Sequence, residues 1–328
     1  MKRVGLGIIG LGYIGKIHLR HSQKLPNAHV VGVADLSQKA LKRAEKAGVK
    51  KAFTRYEELL KEPDVDAVVI GLPTHLHLKC VKQAIEAKKH VFLEKPIARN
   101  VTEAKEIVKA AEKGSVKLMM GYPLRFSTTF RELKNKIKSG CLGDVVVAYA
   151  TNISTGPFMH RAEGHSPVPV PEWWFKKELT GGGALIDLGS HMINLLRWYF
   201  GEITDIKSYC GHRFNLDFED QATCLAKFES GTTAIINVGW YLQKFQLKVD
   251  LVGTADQEIS QMKPLNRIVA AAQMLLTKSS TFWNPHFAEL EYFTNCIVKD
   301  ISPSPSAKDG LKDLEAIEAA YKNQIRLS

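Results

Sequence analysis

Three glycines, Gly10, Gly12 and Gly15, stand directly behind a strand-like run, Val4 to Ile9. In a βαβ unit the first such glycine allows the tight turn from strand to helix. The second lets the backbone approach a pyrophosphate, and the third lets helix and strand pack closely. Backbone N–H groups at a helix opening near Gly12–Gly15 would then face the phosphates in the favourable field of the helix dipole. A lone Gly-x-Gly-x-x-Gly also occurs as a plain tight turn. Here Ile14, Ile17, His18 and Leu19 continue it at helical spacing, and a second apolar strand with Val30, Val31 and Val33 ends at Asp35, 20 residues beyond Gly15. The combination predicts a dinucleotide site.

Asp35 bears on which dinucleotide. A carboxylate at the end of the second strand can accept hydrogen bonds from the adenosine ribose hydroxyls, whereas a 2′-phosphate there meets like charge. NAD is therefore expected ahead of NADP. Asp35 can also be read as a cap for the helix beginning near Ser37, and Lys39 and Arg43 are near enough in sequence to offer a phosphate positive charge.

The 328 residues fit two domains, and 45% hydrophobic content supplies two ordinary cores. Up to about residue 120 strand and helix patterns alternate: residues 65–72, 90–93 and 117–121 read as strands, with helical spacing at 78–87 and 101–111. This is a doubly wound parallel sheet, whose ligands lie beyond the carboxyl ends of its strands, where Gly71–His77, Glu94–Pro96 and Gly121–Arg125 fall. From Asp144 the runs become longer and β-rich (145–153, 206–214, 222–228, 232–241, 246–252), predicting an open, mainly antiparallel sheet. Residues 1–121 are expected to form the dinucleotide-binding domain and 122–328 a substrate-binding and oligomerisation domain. Between the first two strands of the latter, Pro167, Pro169 and Pro171 mark an extended loop, and Gly181-Gly182-Gly183 opens an amphipathic segment, Ala184 to Tyr199. Residues 257–283 fit no element. Ser306 with Asp309 reads as a helix cap ahead of a packed terminal helix.

No stretch of about 18 uninterrupted apolar residues or export-type leader is visible, and a cytoplasmic protein is expected. The five cysteines are scattered, with no Cys-x-x-Cys pair, which reads as reduced thiols. Net charge is +11, but the lysines are spread along helix-like segments, so nucleic acid is not expected and attraction of a small anion is the milder reading. His75 and His77 have no carboxylate or cysteine at ligand spacing, and no metal is expected.

Glu94-Lys95-Pro96, together with Gly10-Leu11-Gly12-Tyr13-Ile14-Gly15, Pro73-Thr74-His75-Leu76-His77, Gly121-Tyr122-Pro123-Leu124-Arg125-Phe126 and the segment from Gly181 to His191, closely resembles the glucose–fructose oxidoreductase, inositol dehydrogenase and rhizopine-catabolism (Gfo/Idh/MocA) family along nearly the whole chain. The resemblance implies a Rossmann domain followed by an α/β domain whose open sheet mediates dimers or tetramers. It also implies reversible hydride transfer between a nicotinamide and a secondary hydroxyl of a sugar, cyclitol or nucleotide-linked sugar. It places the cofactor on Gly10, Gly12, Tyr13, Ile14, Gly15, Asp35, Leu72, Pro73, His77, Glu94, Lys95 and Arg125, allows a cis bond before Pro96, and puts the catalytic lysine on Lys95 and an Asp-x-x-x-His pair on Asp187 and His191.

Spacing supports the pair independently, since i and i+4 project from one helical face. Carbinol oxidation needs a base for the hydroxyl proton, which His191 can supply near neutral pH; Asp187 would hold the hydroxyl or orient the imidazole, and Lys95 would stabilise the developing alkoxide. Arg125 is open between cofactor, substrate and a bracing role. Trp173 and Trp174 are open between packing and stacking on a sugar, with Trp174 the candidate substrate contact.

One departure stands out: many relatives that act on cyclitols and sugars carry Asp three residues beyond the histidine, where this chain has Asn194. That puts simple inositol specificity in doubt. With His160, Arg161 and His165 in the long loop, it favours a nucleotide-activated sugar, with Arg161 on its diphosphate, slightly over a free sugar or inositol. A reading of another class is a non-catalytic dinucleotide-binding regulator on the same fold.

Overall fold

The computed structural model describes residues 3–157, 170–242, 245–261 and 284–325. The chain divides into two compact units, one drawn from Met1–Phe126 and Ser280–Leu311, the other from Ser127–Ser279 and Lys312–Ser328.

The first unit holds six parallel strands: β1 (Val4–Ile9), β2 (Ala28–Ala34), β3 (Lys51–Phe53), β4 (Ala67–Ile70), β5 (His90–Glu94) and β6 (Leu118–Gly121). Their spatial order is β3-β2-β1-β4-β5-β6, so the chain reverses direction across the sheet between β1 and β4. A crevice at the carboxyl ends of those strands is where such sheets bind dinucleotides. β1 and β4 are buried along their whole length, as a parallel sheet covered on both faces requires. The short β3 has no apolar run to announce it.

The helix Pro285–Val298 also belongs to this unit. Phe287, Leu290 and Phe293 enter the core beside Phe92 and Met119. Asn284 starts the helix by accepting from the N–H groups of His286 and Phe287, with Pro285 at the first helical turn. The Ser306 cap forms as the pattern predicts: its N–H and hydroxyl donate to Asp309 Oδ2 at 2.7 and 2.9 Å.

The second unit holds β7 (Val145–Ile153), β8 (Ile203–Gly211), β9 (Gln221–Phe228), β10 (Thr233–Gly239), β11 (Gln246–Gly253) and β12 (Gln257–Gln261). The order is β12-β11-β7-β10-β9-β8, antiparallel except where β7 meets β10. Strict alternation along β9 buries Ala222, Cys224, Ala226 and Phe228 and exposes the residues between. β12 falls in the segment that fitted no element; residues 262–283 lie outside the described residues. Among the described residues no helix is long and apolar enough to cross a membrane.

Candidate active site

The glycine loop separates three steric demands. Gly10 has φ +86°, and a Cβ there would meet Gly71 O at 2.6 Å. A Cβ on Gly15 would lie 1.8 Å from Gly10 O, so only hydrogen lets the helix sit this close to its strand. A Cβ on Gly12 would meet nothing within 4 Å. Gly12 caps the helix Tyr13–Ser22 without any side-chain hydrogen bond. Open space in front of an uncapped helix start fits a pyrophosphate, which needs room for its oxygens and N–H groups to receive them.

Asp35 is tied into this loop: Oδ2 accepts from Leu11 N at 2.5 Å and Oδ1 from Ser37 N at 2.7 Å. The cap of the following helix is Ser37 itself, whose hydroxyl accepts from Ala40 N, so the capping alternative for Asp35 is displaced. Its carboxylate ends β2 beside the glycine turn, with Leu36 exposed next to it and Tyr13 exposed above the helix start.

The other cofactor candidates of this unit gather at strand ends. Leu72 and Pro73 follow β4, and Glu94 and Lys95 close β5; the Lys95–Pro96 bond is cis. His77 is fully buried, and its ring nitrogens face Pro96 O at 3.0 Å and Leu72 O at 2.9 Å. It clamps the turn after β4 to the turn after β5, and burial pushes its pKa below the ordinary histidine value. Arg125 is buried and pairs with Asp309 at 3.3 Å, which favours the bracing role among the three left open for it.

Both oxygens of Glu94 have partners: Oε1 lies 2.6 Å from His18 Nε2, and Oε2 accepts from Lys95 N at 3.2 Å. Burial acts to raise its pKa, but the hydrogen bond and charge of His18 overcome this and hold it below the usual carboxylate range. It supports Lys95 from behind.

In the second unit the triple glycine is wrapped around Glu219. Its buried Oε1 accepts from Gly183 N (3.0 Å), Leu185 N (2.9 Å) and Tyr321 OH (2.8 Å). A Cβ on Gly183 would stand 1.8 Å from Glu219 O. The chain then makes one π-helical turn, Leu185–Gly189, before the helix Ser190–Phe200. The predicted continuous α-helix is thus widened where Asp187 sits, a distortion that recurs at functional sites because it re-aims side chains.

Asp187 and His191 are both half-buried, and Trp240 Nε1 donates to Asp187 Oδ2 at 3.2 Å. Trp240 is buried against Phe218, and Trp174 packs on it with ring centroids 6.4 Å apart, so Trp174 reaches the surroundings of Asp187 through Trp240. Neither Trp240 nor Glu219 was flagged by the sequence. Each lies far along the chain in a strand or loop with no motif; a tryptophan closing β10 was the available signal.

Asn194 is fixed by its surroundings. It is buried and donates to Asp313 Oδ2 at 2.6 Å, beside the ion pair of Asp313 with Arg197. An aspartate there would face Asp313 with like charge, so packing in this chain accounts for an amide at this position. Arg161, His160 and His165 lie outside the described residues.

Residues 4–122 match the profile of an oxidoreductase family with an NAD-binding Rossmann fold, Gfo/Idh/MocA, and residues 130–257 match the C-terminal domain of the same family. The chain belongs to the Gfo/Idh/MocA family. It is an oxidoreductase, and its first unit is the family's NAD-binding domain. Among relatives, it is similar to the myo-inositol 2-dehydrogenase of Thermotoga maritima, 29% identical over 71% of this chain and 67% of that one. Its fold is shared with scyllo-inositol dehydrogenase of Lactobacillus casei, solved with NAD(H) and scyllo-inositol, at TM-score 0.80 and 23% identity over 98% and 97% of the two chains. It is also shared with the WlbA dehydrogenase of Bordetella pertussis, solved with NADH and UDP-GlcNAcA, at TM-score 0.81 and 23% identity over 98% and 95%.

Proposed function

We propose that this Gfo/Idh/MocA oxidoreductase catalyses reversible hydride transfer between NAD and a ring carbinol of a polyhydroxylated substrate, with Lys95, Asp187 and His191 as its catalytic residues. The observation that carries the reading is Asp187 on its π-helical turn, held by the Trp240 indole one helical step before His191. A regulator that only reads the dinucleotide has no use for such a proton-handling pair.

NAD, when bound, takes up the hydride from the carbinol carbon. His191 accepts the hydroxyl proton as the carbonyl forms. Asp187 orients the hydroxyl or the imidazole, and the Trp240 hydrogen bond limits its rotation. The Lys95 ammonium offsets negative charge on the oxygen, a contribution that grows toward the transition state. Asp35 reads the adenosine ribose and disfavours a 2′-phosphate.

On substrate class, the myo-inositol relative supports a free cyclitol or sugar. The structural likeness to WlbA supports a nucleotide-linked sugar, with Arg161 as its diphosphate contact. Oligomerisation through the open sheet belongs to the same proposal: Tyr149, Ile235 and Leu225 form one exposed cross-strand row, with Tyr209 beside it. The test is a panel of cyclitols, free sugars and nucleotide-linked sugars followed by nicotinamide absorbance. Reduction of NAD by members of one class supports the reading and assigns the class, and no turnover with any secondary ring alcohol contradicts it.

A further inference from the structure

Behind the strand end that carries Lys95, four side chains from three segments meet inside the first unit. His18 comes from the helix after the glycine loop, Glu94 from β5, and His286 and Glu289 from the helix Pro285–Val298. One donor atom from each lies within 4.8 Å of every other. His18 Nε2 is 2.6 Å from Glu94 Oε1, and His286 Nδ1 is 3.0 Å from Glu289 Oε1. In a tetrahedral zinc site with bonds of about 2.0–2.1 Å, donor atoms stand about 3.3 Å apart. Two contacts of the set are already at that scale, and small side-chain movements bring in the rest.

A second observation points the same way. Glu289 Oε2 is buried and has no hydrogen-bond partner, although buried polar atoms are paired in the large majority of cases. As metal ligands, with both carboxylates ionised and both imidazoles neutral, the four side chains would carry two negative charges in an interior where unpaired charge is costly. A dication cancels them. Two imidazoles among the ligands favour a zinc-class ion over magnesium or calcium, which prefer all-oxygen shells.

We propose that His18, Glu94, His286 and Glu289 form a structural site for a divalent transition metal of the zinc class. Four protein ligands complete a tetrahedral shell and leave no position for water or substrate. The ion ties both helices to the end of β5, and thereby supports the turn on which Lys95 is presented.

The test uses the full chain, stripped with a chelator and dialysed, and titrated with zinc against a chromophoric competitor beside Glu289→Gln and His286→Gln. The expected result is one zinc per chain, a raised melting temperature, and binding weakened at least about tenfold in each variant, with circular dichroism and NAD binding confirming their folds. Cobalt added to the unsubstituted chain should give the strong visible bands of a four-coordinate ion, a readout that requires no variant. Absence of zinc uptake, uptake shared equally by the variants, or a six-coordinate cobalt spectrum overturns the proposal.

Discussion

The glycine loop of the first unit and the triple-glycine segment of the second both place a tight turn before a helix, yet they are held by different means. Around Gly10–Gly15 the constraints come mainly from the backbone: a positive φ, a carbonyl 1.8 Å from where a Cβ would stand, and a helix start left bare. Around Gly181–Gly183 the turn closes on one buried carboxylate, and the side chain that follows is aimed by an indole 53 residues away in sequence. The first arrangement leaves room for a ligand at Gly12. The second fills its interior with the Glu219 carboxylate and is followed by Asp187 and His191, the proposed catalytic pair.

The contrast breaks most sharply at its glycines. Gly15→Ala drives a methyl into Gly10 O, which belongs to backbone that cannot yield; destabilisation should reach the upper end of the about 1–3 kcal/mol seen for overpacking, with NAD binding lost. Gly12→Ala meets no protein atom, so the melting temperature should stay close to that of the unsubstituted chain while NAD affinity falls at least tenfold, about 1.4 kcal/mol. Calorimetric titration and thermal melts on the pair separate steric need from ligand space.

On the other side, Glu219→Ala leaves the N–H groups of Gly183 and Leu185 and the Tyr321 hydroxyl without their acceptor. At about 1–3 kcal/mol for a buried group left unsatisfied, it should cost several degrees of melting temperature. It should also lower turnover by displacing Asp187, while NAD binding in the first unit is retained. Equal losses of NAD binding and turnover would erase the distinction between the two turns.

Asp35→Ser should weaken NAD about tenfold and shift the NAD-to-NADP preference toward NADP, since the ribose acceptor and the like charge go together. Tighter NADP than NAD binding by the unsubstituted chain contradicts the ribose role.

The smallest effect expected is in pH dependence. Burial, then the charges of His286, His18, Lys24 and Arg20, push His21 from 6.5 down to about 4. Its folded pKa lies below the unfolded one, so between these values the unfolded chain binds more protons. This group leaves stability unchanged above about pH 6.5, erodes it as pH falls toward about 4, and has no further effect below. His21→Gln should flatten the melting-temperature profile over that window and leave it unchanged at pH 8.

What was legible in the sequence follows the same contrast. The glycine turn, Asp35 at the end of β2, and Lys95 at the end of β5 were readable because each requirement is local: a steric limit or a strand terminus announced by its own apolar run. The alternating β7, β9 and β10 were readable for the same reason, as a period of two is a local signal. Glu219, Trp240 and the His286–Glu289 pair were not, because their roles exist only once distant segments meet. The partner of Asn194 is equally hidden, because Asp313 lies 119 residues further on. The clamp made by His77 is not legible either, because its partners are backbone carbonyls of Leu72 and Pro96.

The central claim is the proposal that His191 is the proton acceptor in hydride transfer to NAD. It is tested most directly by kinetics of His191→Asn with the best substrate of the panel, alongside calorimetric NAD titration of the same folded protein. The account predicts kcat lowered by about 10²–10⁴, the range for loss of a general base, with NAD affinity unchanged within about twofold. Turnover close to that of the unsubstituted enzyme would contradict it.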